Sequence, residues 1–289
     1  MAHAERTLTA PDGTTLHVEQ WRPSGAPKFV VVISHGGGEH VTRYAQLAGE
    51  LADDGAVVFG PDHRGHGRSG GPKGHVVGFE DYAHDLLNVM RDHIERNPSE
   101  GPQSVPWFLL GHSMGGLIGL VYLLEHAKDL PLRGAIVSSP LLGLTMKVNP
   151  LKLALGKIAA KLAPRLALPS GIPADRISRD ADQVKRYVED PLRVEVVTAG
   201  WFAAMNAAIA RVNAEAKTIT VPSLWYVGTG DGICDHTATQ KLFATLDDAA
   251  RRDQTLREFA GYYHELHNEP PELRAPIVAM IREWIAARL

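Results

Sequence analysis

The chain predicts an α/β fold, a mostly parallel sheet with helices on both faces and a helical segment inserted late in the sheet. Apolar runs at Phe29 to Ile33, Ala56 to Gly60 and Trp107 to Leu110 alternate with helical stretches, the order expected of strands buried on both faces. A glycine-flanked serine, Gly111-His112-Ser113-Met114-Gly115, joins the last of these runs to an apolar helical run ending at Leu124. From Pro140 to about Val221 this strand type stops and helical periodicity takes over.

Taken in order, the first two elements alternate apolar and polar residues around Pro11-Asp12-Gly13, which reads as an antiparallel hairpin at a sheet edge. Phe29 to Ile33 runs into Ser34-His35-Gly36-Gly37-Gly38-Glu39-His40, where consecutive glycines imply close backbone approach at a strand's carboxyl end. A helix from about Arg43 to Asp53 ends at Gly55, and Ala56 to Gly60 is the next strand. The loop Asp62 to Ser69 holds histidines and arginines but neither a P-loop lysine pattern nor metal-ligand spacing, so it reads as structural. Phe79 to Arg96 is an amphipathic helix, and Gly134 to Ser138 is the strand after the central one.

Within the insertion, Asn149-Pro150 marks a helix start, with Leu151, Leu155, Ile158 and Leu162 on one stripe and Lys152, Lys157 and Lys161 on the other sides. That stripe suits packing on the body, with contact to a lipid surface as the alternative. A second helix, about Thr198 to Val212, aligns Trp201, Met205 and Ile209, either as plain core or as the wall of an apolar pocket. Beyond it, Ser223 to Val227 and Thr255 to Phe259 are strands, Thr237 to Leu246 is a helix, and Pro271 to Arg288 is the closing helix. The expected division is a core of 1–139 and 222–289 with a helical cap of 140–221.

At 289 residues and 44% hydrophobic content, one large domain with an insertion can bury a sizeable core. A net charge of -3 provides no field to collect nucleic acid. The single cysteine, Cys234, excludes an intrachain disulfide and suits a reducing compartment. Met1 to Arg6 carries no apolar stretch of signal type, and no run reaches the ~20 apolar residues of a membrane span, so a cytoplasmic protein is expected.

The G-x-S-x-G turn lifts a hydroxyl to a helix N-terminus, where backbone N–H groups favour developing negative charge. Serine needs a base to take its proton and a carboxylate to orient that base, in the chain order serine, acid, histidine. Asp231, flanked by Gly230 and Gly232 just past a strand, is the expected acid, with Asp235 a helix cap or a reserve. His264 lies nearer the strand end than His267 and is the expected base, with His267 lining the site. The oxyanion donors should be the N–H groups of Met114 and Gly37. Two close histidines also suggest a metal pair, but H-E-x-x-H is absent and no third ligand is evident, so neither metal nor cofactor is expected.

Together, H-G-G-G-E-H-V-T-R-Y at His35 to Tyr44, D-H-R-G-H-G-R-S at Asp62 to Ser69, G-H-S-M-G-G at Gly111 to Gly116, the G-T-G-D-G-I-C-D segment ending at Asp235 and Y-H-E-L-H-N-E from Tyr263 resemble the monoacylglycerol lipase family. The resemblance implies an α/β-hydrolase fold with an eight-stranded sheet, a Ser113, Asp231 and His264 triad, and Gly37 and Met114 as oxyanion donors. It also implies polar groups for a leaving glycerol at Glu39, Arg43, His112, Tyr187 and His267, and a cysteine beside the site at Cys234. Gly37 departs from the commoner side-chain-bearing residue at its position. The implied partner is a small lipid or ester substrate, with transient membrane or micelle contact through the cap. A broad esterase, a lysophospholipase, a proline-releasing peptidase and a catalytically silent binding protein are the alternatives. Dehalogenase and epoxide hydrolase chemistry is disfavoured because it places an aspartate where Ser113 stands.

Overall fold

In the computed structural model, which describes residues 1–145, 156, 158–246 and 253–289, an 8-stranded sheet runs in the order β1-β2-β4-β3-β5-β6-β9-β10. The edge hairpin pairs β1 (Ala2–Thr9) with β2 (Thr15–Arg22), and β2 joins β4 (Ala56–Pro61) in antiparallel fashion. All other pairings in this sheet are parallel: β4 with β3 (Phe29–Ser34), then β5 (Trp107–His112), β6 (Gly134–Ser138), β9 (Ser223–Gly228) and β10 (Gln254–Phe259).

Strands β3, β4, β5, β6 and β9 are buried at every position, and alternation along them feeds two cores. Val30 and Val32 of β3, with Trp107 and Leu109 of β5, pack on one face under helices α2 (Glu80–Arg96) and α3 (Met114–Glu125). Val31 and Ile33, with Phe108 and Leu110, pack on the other under α1 (Ala45–Asp53) and the closing helix Pro271–Ala286. A continuously apolar strand is thus two alternating faces, each covered by helices. The stretch expected to open α1 begins instead as a 3-10 turn, Val41–Tyr44.

Between β6 and β9 the helices Ala181–Glu189 and Ala199–Glu215 dominate, started by side-chain caps from Asp180 and Thr198. This stretch also contains a short antiparallel ribbon, β7 (Ala167–Pro169) with β8 (Val196–Thr198), which the periodicity did not reveal because three residues give no repeat to read. Of the lysine-bordered helix, Leu151, Lys152, Leu155 and Lys157 lie outside the described residues. Ile158 and Leu162 are 54% and 82% exposed, so the expectation that this part of the stripe packs on the body is corrected. Among the described residues no helix is long and apolar enough to cross a membrane.

Candidate active site

The turn between β5 and α3 shows why the serine needs glycine neighbours. Ser113 has φ 54 and ψ -118, outside the usual regions for a side-chain-bearing residue. Its N–H bonds to Ser138 O at 2.9 Å, and its carbonyl accepts from Leu141 N at 3.0 Å, which fixes the strained unit to the neighbouring strand end. A Cβ at Gly115 would lie 1.9 Å from Ser34 O, and one at Gly111 would lie 2.4 Å from Gly115 O. No residue larger than glycine allows β3, β5 and α3 to approach this closely.

The acid and the base come together as expected. His264 Nδ1 lies 2.7 Å from Asp231 Oδ2, while Asp231 Oδ1 accepts from the Ile233 and Cys234 N–H groups at 2.8 and 2.9 Å. The rival acid, Asp235, caps helix His236–Ala244 by accepting from Thr237 N at 2.9 Å. Burial alone would lower the His264 pKa; the charge and hydrogen bond of Asp231, then Glu265 and Glu39, outweigh it and hold it above the ordinary imidazole value. Ser113 and His264 line one cavity, with the hydroxyl 3.9 Å from Cys234 Sγ and no Ser113–His264 hydrogen bond among the described residues. Catalytic hydrogen bonds of this kind commonly tighten only once substrate is in place. Burial, then the charge of Asp231, pushes the Cys234 thiol pKa well up, so it stands beside the serine as a neutral thiol.

Opposite the serine, the glycine loop is pinned from behind. His35 Nδ1 donates to Gly36 O at 2.7 Å, leaving Nε2 to accept from the His63 N–H at 2.8 Å. The Gly36 N–H is taken by Glu39 Oε1 at 2.5 Å. Gly37 lines the cavity, as does Met114, whose N–H lies in the first turn of α3 where the helix has no partner for it. A Cβ at Gly37 would meet only Met114 atoms at 3.7 Å, an ordinary contact, so the backbone here does not itself demand glycine.

The polar end of the cavity is a buried charge network. Arg43 donates to Glu39 Oε2 at 2.9 Å and to Glu265 Oε2 at 2.6 Å, and Tyr44 donates its hydroxyl to Glu39 Oε1 at 2.7 Å. Burial, then the Glu265 charge, raises the Glu39 pKa; burial also acts to raise that of Glu265, but Arg43 and His267 outweigh it and lower it. Of the residues matched to glycerol recognition, Glu39, His112 and Tyr187 line the cavity. Arg43 and His267 do not: Arg43 is held between two carboxylates, and His267 lies behind His112, stacked 4.9 Å from Tyr44 with burial pushing its pKa down to about 4. The expectation that these two stand among the residues lining the site is therefore corrected: both are placed behind that lining. Glu265 lines the cavity in their place, and its position between His264 and His267 in sequence was the available clue. The apolar end is walled by Trp201, Phe202 and Met205 of helix Ala199–Glu215, together with Ile172, Val194 and Val197.

The Asp62 to Ser69 loop is structural. Asp62 accepts from the Val41 and Arg68 N–H groups at 2.9 and 2.8 Å, and Arg64 forks onto Asp85 with two 2.7 Å bonds.

A strained serine at the carboxyl edge of a mostly parallel sheet, sharing a cavity with an aspartate-held imidazole, is built for acyl transfer, and the class so defined is the serine hydrolases of α/β-hydrolase fold. The chain belongs to the family described as serine aminopeptidase, S33, whose model matches residues 25–271. It is 33% identical over 285 residues to monoglyceride lipase of Mus musculus, covering 98% of this chain and 90% of that protein. Phospholipase YtpA of Bacillus subtilis is 32% identical over 246 residues, covering 84% of this chain and 90% of that one. Among solved structures, monoacylglycerol lipase of Paleococcus ferrophilus matches with a TM-score of 0.82 at 32% identity, covering 95% of this chain and 99% of that chain. This protein is accordingly a hydrolase of carboxylic esters.

Proposed function

We propose that the protein cleaves monoacylglycerols to fatty acid and glycerol, with Ser113 as nucleophile, His264 as base and then acid, and Asp231 as the group that orients it. The observation that carries this reading is the 2.7 Å His264–Asp231 bond in a cavity shared with the strained Ser113. Ser113 attacks the ester carbonyl as His264 takes its proton, and the Gly37 and Met114 N–H groups receive the oxyanion. His264 then protonates the departing glycerol oxygen. Water repeats the sequence on the acyl-enzyme and frees the fatty acid.

The acyl chain lies against Trp201, Phe202 and Met205, where each buried methylene contributes roughly 0.8 kcal/mol before losses. The glycerol end faces Glu39, His112 and Tyr187. Two carboxylates sharing one arginine there favour a neutral hydroxylated head over a phosphate, and they leave no free acidic pair to hold a peptide's amino terminus. The similarity to monoglyceride lipase of mouse supports the same substrate, and that to a bacterial phospholipase keeps lysophospholipid as the second reading. The cap of 140–221 would present exposed Ile158, Leu162, Leu166 and Leu168 to a micelle or membrane that holds the substrate. The single thiol Cys234 suits a cytoplasmic setting.

The test is Ser113→Ala with a fluorophosphonate probe and an ester series. Wild type should form one adduct and turn over monoacylglycerol faster than lysophospholipid, while the variant stays folded and loses on the order of 10⁴-fold or more in turnover. Retained turnover would sink the assignment, absence of an adduct would revive the silent-scaffold reading, and a preference for lysophospholipid would change the substrate.

A further inference from the structure

The helix that begins at Ser113 ends in a second group of titratable side chains that the hydrolytic reaction does not use. Glu125 is the last residue of α3, His126 is its C-cap, and His84 faces them from α2. Glu125 Oε2 lies 3.6 Å from His126 Nε2 and 3.9 Å from His84 Nε2, and one ligand atom from each of the three residues falls within 4.8 Å of the other two.

Two of these atoms are in an unfavourable state as they stand. Glu125 Oε2 and His126 Nε2 are shielded from solvent and have no hydrogen-bond partner. Their surroundings explain why they face each other. Arg211, from the cap helix Ala199–Glu215, pairs with the other carboxylate oxygen, Oε1, which turns Oε2 toward the imidazoles. Asp129 Oδ2 lies 2.9 Å from His126 Nδ1, which places a proton on Nδ1 and a lone pair on Nε2. Two acceptors thus oppose each other, and a proton on Nε2 would still sit too far from the carboxylate to form a hydrogen bond.

A tetrahedral ion with bonds of about 2.0–2.1 Å holds its ligand atoms roughly 3.3–3.4 Å apart, a few tenths shorter than the His126–Glu125 separation. His84 is about half exposed and free to close the remaining gap. We propose that His84, Glu125 and His126 bind a divalent transition-metal ion of the zinc type, with water as fourth ligand. Asp129 is the positioning residue that holds His126 in its ligating tautomer, the carboxylate–histidine pairing common behind metal ligands. Two imidazoles and one carboxylate select zinc-like ions over magnesium or calcium, which prefer all-oxygen sites. The positive charge of Arg211 is offset by Glu215 at 3.3 Å and Glu80 at 3.8 Å. The ion would tie α2 to the end of α3 and, through Glu125 and Arg211, to the cap helix.

Calorimetric titration of the full chain with ZnCl2 tests this, with Co2+ absorption reporting the ligand geometry. The expected result is one site whose affinity falls at least about tenfold in His84→Ala and in Glu125→Gln. It should be unchanged in His3→Ala, which removes a ligand from a second cluster of potential ligands among the described residues, His3, Glu5 and Glu19. Zinc should raise the Tm of wild type and not that of His84→Ala, whose metal-free Tm should match wild type because its side chain is half exposed. No zinc binding, undiminished affinity in His84→Ala, or loss of affinity in His3→Ala would each overturn the proposal.

Discussion

At the carboxyl edge of the sheet and in the segment covering it, the same kinds of residue do different work. In β3, β5, β6 and β9 every position is buried, and Ser113 and Asp231 sit in loops bonded back to the strand ends or to the loop itself. In the covering segment, Ile158 and Leu162 are exposed at 54% and 82%, beside exposed Leu166 and Leu168. Other parts of that segment are tied to the body. Ser178 Oγ donates to Asn268 O at 2.7 Å, Arg179 pairs with Glu269 at 3.0 Å, and Val194 N bonds to Gly38 O at 3.0 Å. Its later part is fastened to the histidine and glycine loops, whereas the 158–168 stretch keeps its apolar side chains outward. The sheet edge therefore fixes where the proposed triad stands, and on the proposed function the segment above it governs access to the triad.

Three changes would break or sharpen that contrast. Asp231→Asn strikes the edge hardest: His264 loses the partner that holds its tautomer, and kcat should fall on the order of 10⁴-fold with the fold retained. A drop of less than about tenfold would mean that another group orients the base. In the wild type, the neutral imidazole is the active form and its pKa is raised, so kcat/KM should climb with pH along a limb centred above the ordinary 6.5. Next comes Gly115→Ala, which drives a methyl into Ser34 O at 1.9 Å and should cost roughly 3 kcal/mol or more, read by denaturant unfolding. An unchanged midpoint would show that the elbow can relax. Smallest is Leu162→Ser in the cap, which should leave stability within about 0.5 kcal/mol and hydrolysis of a soluble ester unchanged, while slowing hydrolysis of micellar monoacylglycerol. Equal loss on both substrates would place Leu162 in the catalytic body's support instead.

The same contrast governs what could be read from sequence. Strands β3, β4, β5, β6 and β9 were legible to within a residue or two because burial on both faces leaves a continuous apolar run. Ser113 was legible because strain has a chemical signature, glycine on either side. The different placements of Asp231, against His264, and Asp235, at a helix start, were legible for a related reason: a carboxylate next to glycines in a loop can be aimed, while one next to a helix start caps it. What failed was distance that sequence does not encode. The resemblance implied that Arg43 and His267 stand with the other polar groups at the site, but only a structure shows which of them face the cavity and which stand one layer back. Ile158 and Leu162 have helical periodicity, and periodicity reports that a face is apolar without reporting what covers it.

The unusual backbone at Ser113 has a consequence for the molecule as an evolved object. A residue held at φ 54 and ψ -118 represents free energy of order 1–3 kcal/mol withheld from folding and kept at the proposed nucleophile. The surrounding sheet is the creditor that makes this solvent: its buried strands provide cohesion enough to keep one position out of equilibrium with its own preferences. On the proposed role of Ser113, a sibling chain that relaxed the position would be the sturdier protein and the poorer catalyst, opposing robustness and activity at this single residue rather than across the whole fold.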